Sequence, residues 1–488
     1  MSGRFAKLTD GWMLRGWSDL PRALVNWKTG EQRMLKPMGF YVAESCDGRT
    51  DFESLAFLPK HRAMLELLMA AGVAADCRKS DRLESWQRYR KASNPRLSGL
   101  HWCVTGRCNL RCRHCYMEAP SGRYGELPFE TMARLVDQFE RANVSVVSLT
   151  GGEPFLRRDI IEIIRLLTQK RIRLGQIFSN GLLITNRHLE DIRALGLRPP
   201  FQVSLDGVGT HDRMRGAPGS EQGVTDAIRR LRLAGFPVVV STCVDRFSLS
   251  VLPDTYELMN KLGVQAWRVS APQETGNWRG TTTATTLDKQ ADVFVPLLKR
   301  WLDDGRPFGL QLCGFFVGGR MSPPEASGPA RPAGRKPETK VSRPSREFPD
   351  GPGYMPESYV CGSCREQPNL LPDGTLVPCP GYVDSILQDR MPNLLREDLS
   401  DAWTRSFLRE IVEMKKKDLF DRNPECATCE LFKECGVGCR VSALTMTGDL
   451  MAKDPVMCEL CKKGYGKRFR EMAAGKQLSF GRRGVGGR

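Results

Sequence analysis

The chain has 488 residues, 41% of them hydrophobic and 26% charged, and a formal charge of +17. At roughly 150 residues per domain this length allows about three domains and ample buried core, so one domain alone would be unusual. No apolar run, residues 236–244 included, approaches the roughly 20 residues that a membrane span requires, and no bilayer anchor is expected.

Seventeen cysteines, in a chain whose first 16 residues lack an apolar signal segment, argue against export and a disulfide framework. The reducing cytoplasm is the expected location. The basic surplus is spread through helices and collected again at residues 481–488. A dispersed arginine excess reads as a solvated surface rather than a nucleic-acid stripe, and it suits an acidic peptide partner equally well.

In chain order, residues 23–27, a turn at Lys28-Thr29-Gly30 and residues 31–35 read as a hairpin. Helices are predicted over 37–46 and 59–71, the second with Met64, Leu67 and Leu68 on one face, and residues 46–50 read as the turn between them. These elements occupy residues 1–95. From 100 to 272, short β-rich runs alternate with amphipathic helices, the pattern of parallel βα units. Strands are predicted at 100–104, 144–149, 174–178, 201–205, 237–244 and 266–269. Between the first two, Met132, Leu135, Val136 and Phe139 fall at i, i+3, i+4 and i+7, one face of a helix. Six such units predict an α/β fold, a partial (β/α)6 TIM-like barrel over residues 96–308, with its chemistry at the strands' carboxyl ends.

The first strand runs into Cys108-Asn-Leu-Arg-Cys112-Arg-His-Cys115-Tyr116. Three thiolates on one short loop can hold three corners of a cubane iron-sulfur cluster, leaving the fourth iron open to a small molecule. A zinc knuckle is the alternative, but it wants a fourth ligand at knuckle spacing, and His114 sits between two ligands with its side chain expected to aim elsewhere. Polar or glycine motifs come after each of the next strands: Gly151-Gly152-Glu153-Pro154, then Ser179-Asn180-Gly181, then Ser204-Leu-Asp206-Gly207. Alone, each of these is weak. In order at successive strand ends, all four must face one cavity.

Residues 309–317 read as a strand bridging the barrel to a cysteine-rich carboxyl-terminal part, and 321–353 as a low-complexity linker unable to bury a core, together residues 309–355. Nine cysteines then occur in the 101 residues from Cys361 to Cys461: Cys361, Cys364, Cys379 five residues after Gly374, Cys426, Cys429, Cys435, Cys439, Cys458 and Cys461. Paired Cys-x-x-Cys units also suit tetrahedral zinc, which stays open as an alternative. This cysteine-rich part covers 356–475, and 476–488 is read as a basic flexible tail. Cysteines 46, 77, 103, 243, 313 and 461 are left without a role, most of them expected to be buried small apolar residues.

At the Cys108–Cys115 loop the sequence resembles the radical S-adenosylmethionine (SAM) enzymes, although His114 stands where that family usually has an aromatic. The resemblance implies that Tyr116, Gly151, Gly152, Glu153, Ser179, Asn180, Ser204, Asp206 and Arg215 hold SAM. From Cys364 through Cys458 the spacing resembles the auxiliary-cluster domain called SPASM. By that resemblance Cys361, Cys364, Cys379 and Cys439 hold one further 4Fe-4S cluster and Cys426, Cys429, Cys435 and Cys458 another, three clusters in all. Cys361 lies nearer to Cys364 than in sulfatase maturases, and Cys461 could replace Cys458. Residues 1–95 resemble the small winged-helix peptide-recognition domain of ribosomal-peptide maturases, an ordinary cap on the barrel being the alternative.

The implied activity is reductive cleavage of SAM to a 5′-deoxyadenosyl radical that abstracts hydrogen from a precursor peptide bearing a leader segment. A flavodoxin or ferredoxin would supply the electron. Two other readings stay open. One is action on a small molecule or on a sulfatase, although sulfatase maturases carry Asp where Pro380 stands here. The other is a non-enzymatic iron-sulfur protein.

Overall fold

The computed structural model describes residues 3–318 and 355–475. The linker expected at 321–353 and the tail at 476–488 therefore lie outside the described residues. Near the amino terminus come β1 (Phe5–Leu8), β2 (Trp12–Gly16), β3 (Ala23–Asn26), β4 (Gln32–Met34), α1 (Pro37–Ser45), β5 (Asp47–Asp51), α2 (Pro59–Ala70), β6 (Ala74–Cys77) and β7 (Arg90–Lys91). Half-buried and buried side chains alternate along β1, the period of a strand covered on one face. It lies between β5 and β6, antiparallel to both, and Leu8, Val42, Phe52 and Leu65 share the core formed with α1 and α2.

The expected hairpin is present, Ala23 opposite Met34 and Val25 opposite Gln32, within a second sheet ordered β4-β3-β2-β7. The turn expected at 46–50 is instead most of strand β5. Turn chemistry exists there, with Asp47 Oδ1 accepting from Arg49 N and Thr50 N and Gly48 at φ +75°. Pairing with β1 absorbs it as an irregularity in register.

The barrel comes next as β8 (Gly99–Cys103), α3 (Phe129–Arg141), β9 (Val146–Thr150), α4 (Ile160–Gln169), β10 (Arg173–Ser179), α5 (Asn186–Ala194), β11 (Phe201–Ser204), α6 (His211–Arg215), α7 (Ser220–Leu233), β12 (Val238–Cys243), α8 (Leu252–Leu262), β13 (Ala266–Ser270), α9 (Leu287–Asp303), β14 (Gly309–Leu312) and β15 (Phe316–Gly318). All six expected strands lie within two residues of their predicted bounds. The α3 stripe packs as the periodicity implies, with Met132, Leu135, Val136 and Phe139 buried and Phe139 edge-on to Trp102 of β8 at 5.1 Å. Burying each such side chain contributes about 1.5–3 kcal/mol before conformational entropy is counted.

One expectation fails here. Residues 309–317 are not a single bridging strand: β14 adds to β13 as a seventh consecutive parallel strand, and the chain reverses at Gly314 (φ +77°) into antiparallel β15.

The carboxyl-terminal part comprises α10 (Gly362–Glu366), β16 (Asn369–Leu370), β17 (Leu376–Val377), α11 (Leu399–Arg405), α12 (Phe407–Glu413), α13 (Pro424–Ala427), α14 (Phe432–Cys435), α15 (Arg440–Thr447), α16 (Pro455–Lys462) and α17 (Tyr465–Ala473). It touches both edges of the open barrel. β16 pairs in parallel with β8, Asn369 opposite His101, while Phe469 of α17 packs on Phe315 at 5.4 Å beside β15.

The amino-terminal sheets meet the barrel at its opposite end. Trp17 Nε1 donates to Ala142 O at 3.2 Å, Asn143 Nδ2 donates to Gly16 O, and the Arg171 guanidinium lies 5.1 Å from the Trp27 ring and 5.0 Å from that of Trp86. Ala142, Asn143 and Arg171 all precede the amino ends of β9 and β10. Among the described residues no helix is long and apolar enough to cross a membrane.

Candidate active site

The four motifs converge at the carboxyl ends of the parallel strands. Gly152 N donates to Thr105 O at 2.8 Å and Glu153 N to Arg107 O at 2.9 Å, so the Gly-Gly-Glu stretch runs along the start of the cysteine loop. A Cβ on Gly151 would lie 2.5 Å from Thr105 O and one on Gly152 2.1 Å from Arg107 O. The two glycines are therefore required by the backbone of the cysteine loop itself, before any ligand approaches.

Glu153 is fully buried and ties the second motif to the third. Its carboxylate accepts from Phe155 N (3.1 Å), Ser179 Oγ (2.9 Å) and Asn180 N (2.7 Å). Asn180 Nδ2 continues to Asn109 Oδ1 at 2.8 Å, inside the cysteine loop. Burial pushes the Glu153 carboxyl up to about 7, the three hydrogen bonds pulling against it.

Each thiol of the loop receives an N–H. Leu110 N donates to Cys108 Sγ at 3.4 Å, Ala119 N to Cys115 Sγ at 3.4 Å, and Arg215 Nη1 to Cys112 Sγ at 3.5 Å. Burial pushes Cys108 up to about 12 and raises Cys112. Metal binding would therefore displace protons from these sulfurs, and the donated N–H groups stabilise the thiolates that result. Three soft sulfurs on one loop, each with a donor in place, fit an iron-sulfur cluster.

Beneath the loop lies a buried polar knot. Arg215 Nη2 donates to Asp206 Oδ1 at 3.1 Å and its Nε lies 2.6 Å from Oδ2, while Cys243 N also donates to Oδ1 at 2.9 Å. Burial pushes the Asp206 carboxyl up, but Arg215, His114 and His211 outweigh it and hold the group below its ordinary value. Burial takes both imidazoles down to about 4, so each is neutral at pH 7. His114 points at this knot, ligand atoms of His114, Asp206 and Cys243 all lying within 4.8 Å of one another. Asp206 and Arg215, expected to reach a ligand, are here engaged with each other and with Cys112. Ser204 ends β11 beside them, and the Tyr116 hydroxyl lies 3.9 Å from Cys103 Sγ at the end of β8.

Two further groups of cysteines form in the carboxyl-terminal part. Hydrogen bonds to Cys361 and Cys379, then burial, raise the Cys364 thiol far above its ordinary value, and Cys379 acts on Cys439 in turn. In the second group Cys435 and Cys429 act on Cys426. Cys461, buried on α16, hydrogen-bonds Cys435, with Cys458 of the same helix beside it. Of the cysteines without an expected role, Cys46 and Cys103 are fully buried, Cys77 and Cys243 half-buried, and Cys313 exposed. The described residues include all 17 cysteines, and no disulfide joins any two of them.

Residues 102–259 match the model of the Radical SAM superfamily. The chain carries a radical SAM domain. An AdoMet-dependent heme synthase of Nitratidesulfovibrio vulgaris is 27% identical over 370 residues, 74% of this chain and 92% of that protein. A PqqA peptide cyclase of Ruegeria pomeroyi is 27% identical over 72% of this chain and 86% of its own length. Among solved structures, Streptococcus suis SuiB bound to its precursor peptide SuiA superposes with a TM-score of 0.63 at 14% identity, over 93% of this chain and all of SuiB, a likeness of fold. This chain is accordingly a radical SAM enzyme, of a family that uses SAM and a 4Fe-4S cluster.

The support beneath the radical SAM loop was not anticipated from the sequence. His211 and Arg215, four apart on α6, both face Asp206, a helical spacing that could have been read. Cys243 carried no such signal, since β12 gives it no motif and only the register of β12 on β11, with Ser241 opposite Ser204, brings it to Asp206.

Proposed function

We propose that this radical SAM enzyme modifies a ribosomally made peptide, residues 1–95 serving as a winged-helix-like recognition unit and 356–475 as a SPASM-type auxiliary-cluster domain. One observation carries this reading: the fold likeness to SuiB leaves out only 7% of this chain, whereas residues 1–95 make up about a fifth of it, so the likeness extends into the amino-terminal sheets. SuiB was solved with a precursor peptide. Strand β4 is an edge of its sheet, and Met34 on it is 56% exposed, which suits addition of a leader strand.

The cysteine loop would hold one 4Fe-4S cluster, and Tyr116, Gly151, Gly152, Ser179, Asn180 and Ser204 would line the place of SAM. Bound there, cluster and SAM together would supply a 5′-deoxyadenosyl radical, a reagent for hydrogen on unactivated carbon. Glu153 fixes Ser179 and Asn180 for this task. Arg215, held by Asp206, keeps a charged donor on Cys112. The carboxyl-terminal part, lying against both barrel edges, limits entry of water. Cys361, Cys364, Cys379 and Cys439 would hold a second cluster and Cys426, Cys429, Cys435 and either Cys458 or Cys461 a third; contact with Cys435 supports Cys461. A flavodoxin or ferredoxin would donate the electron, in a cytoplasm that keeps thiols reduced.

Reconstituted enzyme is expected to carry about twelve irons. Replacing Cys108, Cys112 and Cys115 together by Ala should remove about four of them and abolish deoxyadenosine release; surviving release refutes the assignment. The heme-synthase relatives favour a second reading, a small substrate of the tetrapyrrole kind. Deoxyadenosine formation stimulated by a leader-bearing peptide and not by an iron porphyrin decides for the first, and the reverse for the second.

A further inference from the structure

Tyr382 is 1% exposed, and its phenol oxygen has no hydrogen-bond partner among the described residues. Buried hydroxyls are nearly always satisfied, because one withdrawn from water without a partner is costly. The phenol's surroundings are fixed by the chain on either side. The turn at 380–382 folds straight back from Cys379, with Tyr382 N donating to Cys379 O at 3.1 Å. Gly381 is pressed against the start of α15, where a Cβ would lie 2.6 Å from Val441 and 2.8 Å from Gln273. Gln273 Nε2 itself reaches Cys439 Sγ at 3.9 Å. Tyr382 thus lies three residues beyond Cys379, on a turn that Gly381 holds against α15, the helix that Cys439 immediately precedes.

The thiols of Cys379, Cys364 and Cys439 all act on the phenol, and a phenol, with an ordinary value of about 10, is protonated and so a donor at neutral pH. The other buried donor beside Cys439, Arg440, gives its terminal nitrogens to the carbonyls of Val437, Leu450 and Ala452 and keeps only its Nε without a partner among the described residues.

We propose that Tyr382 Oη donates a hydrogen bond to a sulfur of the 4Fe-4S cluster held by Cys361, Cys364, Cys379 and Cys439, and so raises that cluster's reduction potential. The inference rests on the reading that these four cysteines hold a cluster. A hydrogen bond to cluster sulfur stabilises the reduced form, which carries one more negative charge, and such bonds are among the determinants of iron-sulfur potentials. Tyr382 is in this sense a positioning and tuning residue, not a catalytic one.

The test is a redox titration of the reconstituted full-length enzyme monitored by electron paramagnetic resonance. The triple variant Cys361→Ala, Cys364→Ala, Cys379→Ala identifies the relevant signal by its disappearance together with about four irons. Tyr382→Phe is expected to keep all its iron and to move only that signal's midpoint to more negative potential. Placing 3,5-difluorotyrosine at position 382, a stronger donor of nearly the same shape, should move it the opposite way. An unmoved midpoint in both enzymes, or movement in the same direction, overturns the proposal. If Tyr382→Phe loses iron, the sign of the shift in the fluorinated enzyme decides. If the cysteine variant loses no iron, the cluster reading is wrong and the proposal falls with it.

Discussion

Glu153 has no exposed surface, and its carboxylate joins three backbone or hydroxyl donors from two different motifs. Burial lifts its folded value from 4.5 to about 7, so the folded protein favours the neutral form. This contribution to stability is therefore complete below the unfolded value and is lost as pH rises towards and through 7. In cluster-free protein, urea denaturation should show the wild type losing stability relative to Glu153→Gln between pH 4.5 and pH 7, with parallel curves above that range. Parallel curves throughout would mean that Glu153 ionises freely in the folded state.

Between elements, the decisive contact is backbone on backbone. A methyl on Gly152 would meet Arg107 O at 2.1 Å, and a carbonyl held by β8 and the cysteine loop cannot withdraw as a flexible side chain would. Gly152→Ala should therefore cost about 1–3 kcal/mol, as overpacking does. It should also lower iron retention at the Cys108–Cys115 loop while leaving loaded the carboxyl-terminal clusters proposed above. Iron analysis beside thermal denaturation checks both. Full iron occupancy at unchanged stability would show that the loop has room the distances deny.

Over the whole molecule, the amino-terminal sheets are fastened to the end of the barrel away from the strand carboxyl ends, so that under the proposed function a leader held at β4 would have to pass around the barrel to reach the site. Arg171, between the Trp27 and Trp86 rings, is central to that fastening. Each such contact is worth about 0.5–2 kcal/mol. Arg171→Ala should accelerate proteolysis between residues 92 and 98 and raise the apparent KM for a leader-bearing peptide, without changing deoxyadenosine release in the absence of peptide. Equal loss of both activities would mean that these sheets support the barrel's fold and do not handle substrate.

The six barrel strands and the order of motifs at their ends were legible in the sequence, because period-two and period-3.6 patterns are local and because chain order maps onto strand order in a parallel sheet. The three cysteines of the loop were legible for the same reason: their spacing is covalent. What only the tertiary structure decided was everything fixed by close approach between distant residues. Residues 46–50 look like a turn and are one locally, yet pairing with β1 makes them a strand. Gly151 and Gly152 are glycines because Thr105 and Arg107 lie against them, over 40 residues away in the chain. Cys243 joins Asp206 and His114 through the register of β12 on β11, and Cys461 meets Cys435 through the packing of α16 on α14. Sequence spacing encodes which groups share an element; which groups touch across elements depends on burial and register, and those are properties of the whole packed chain.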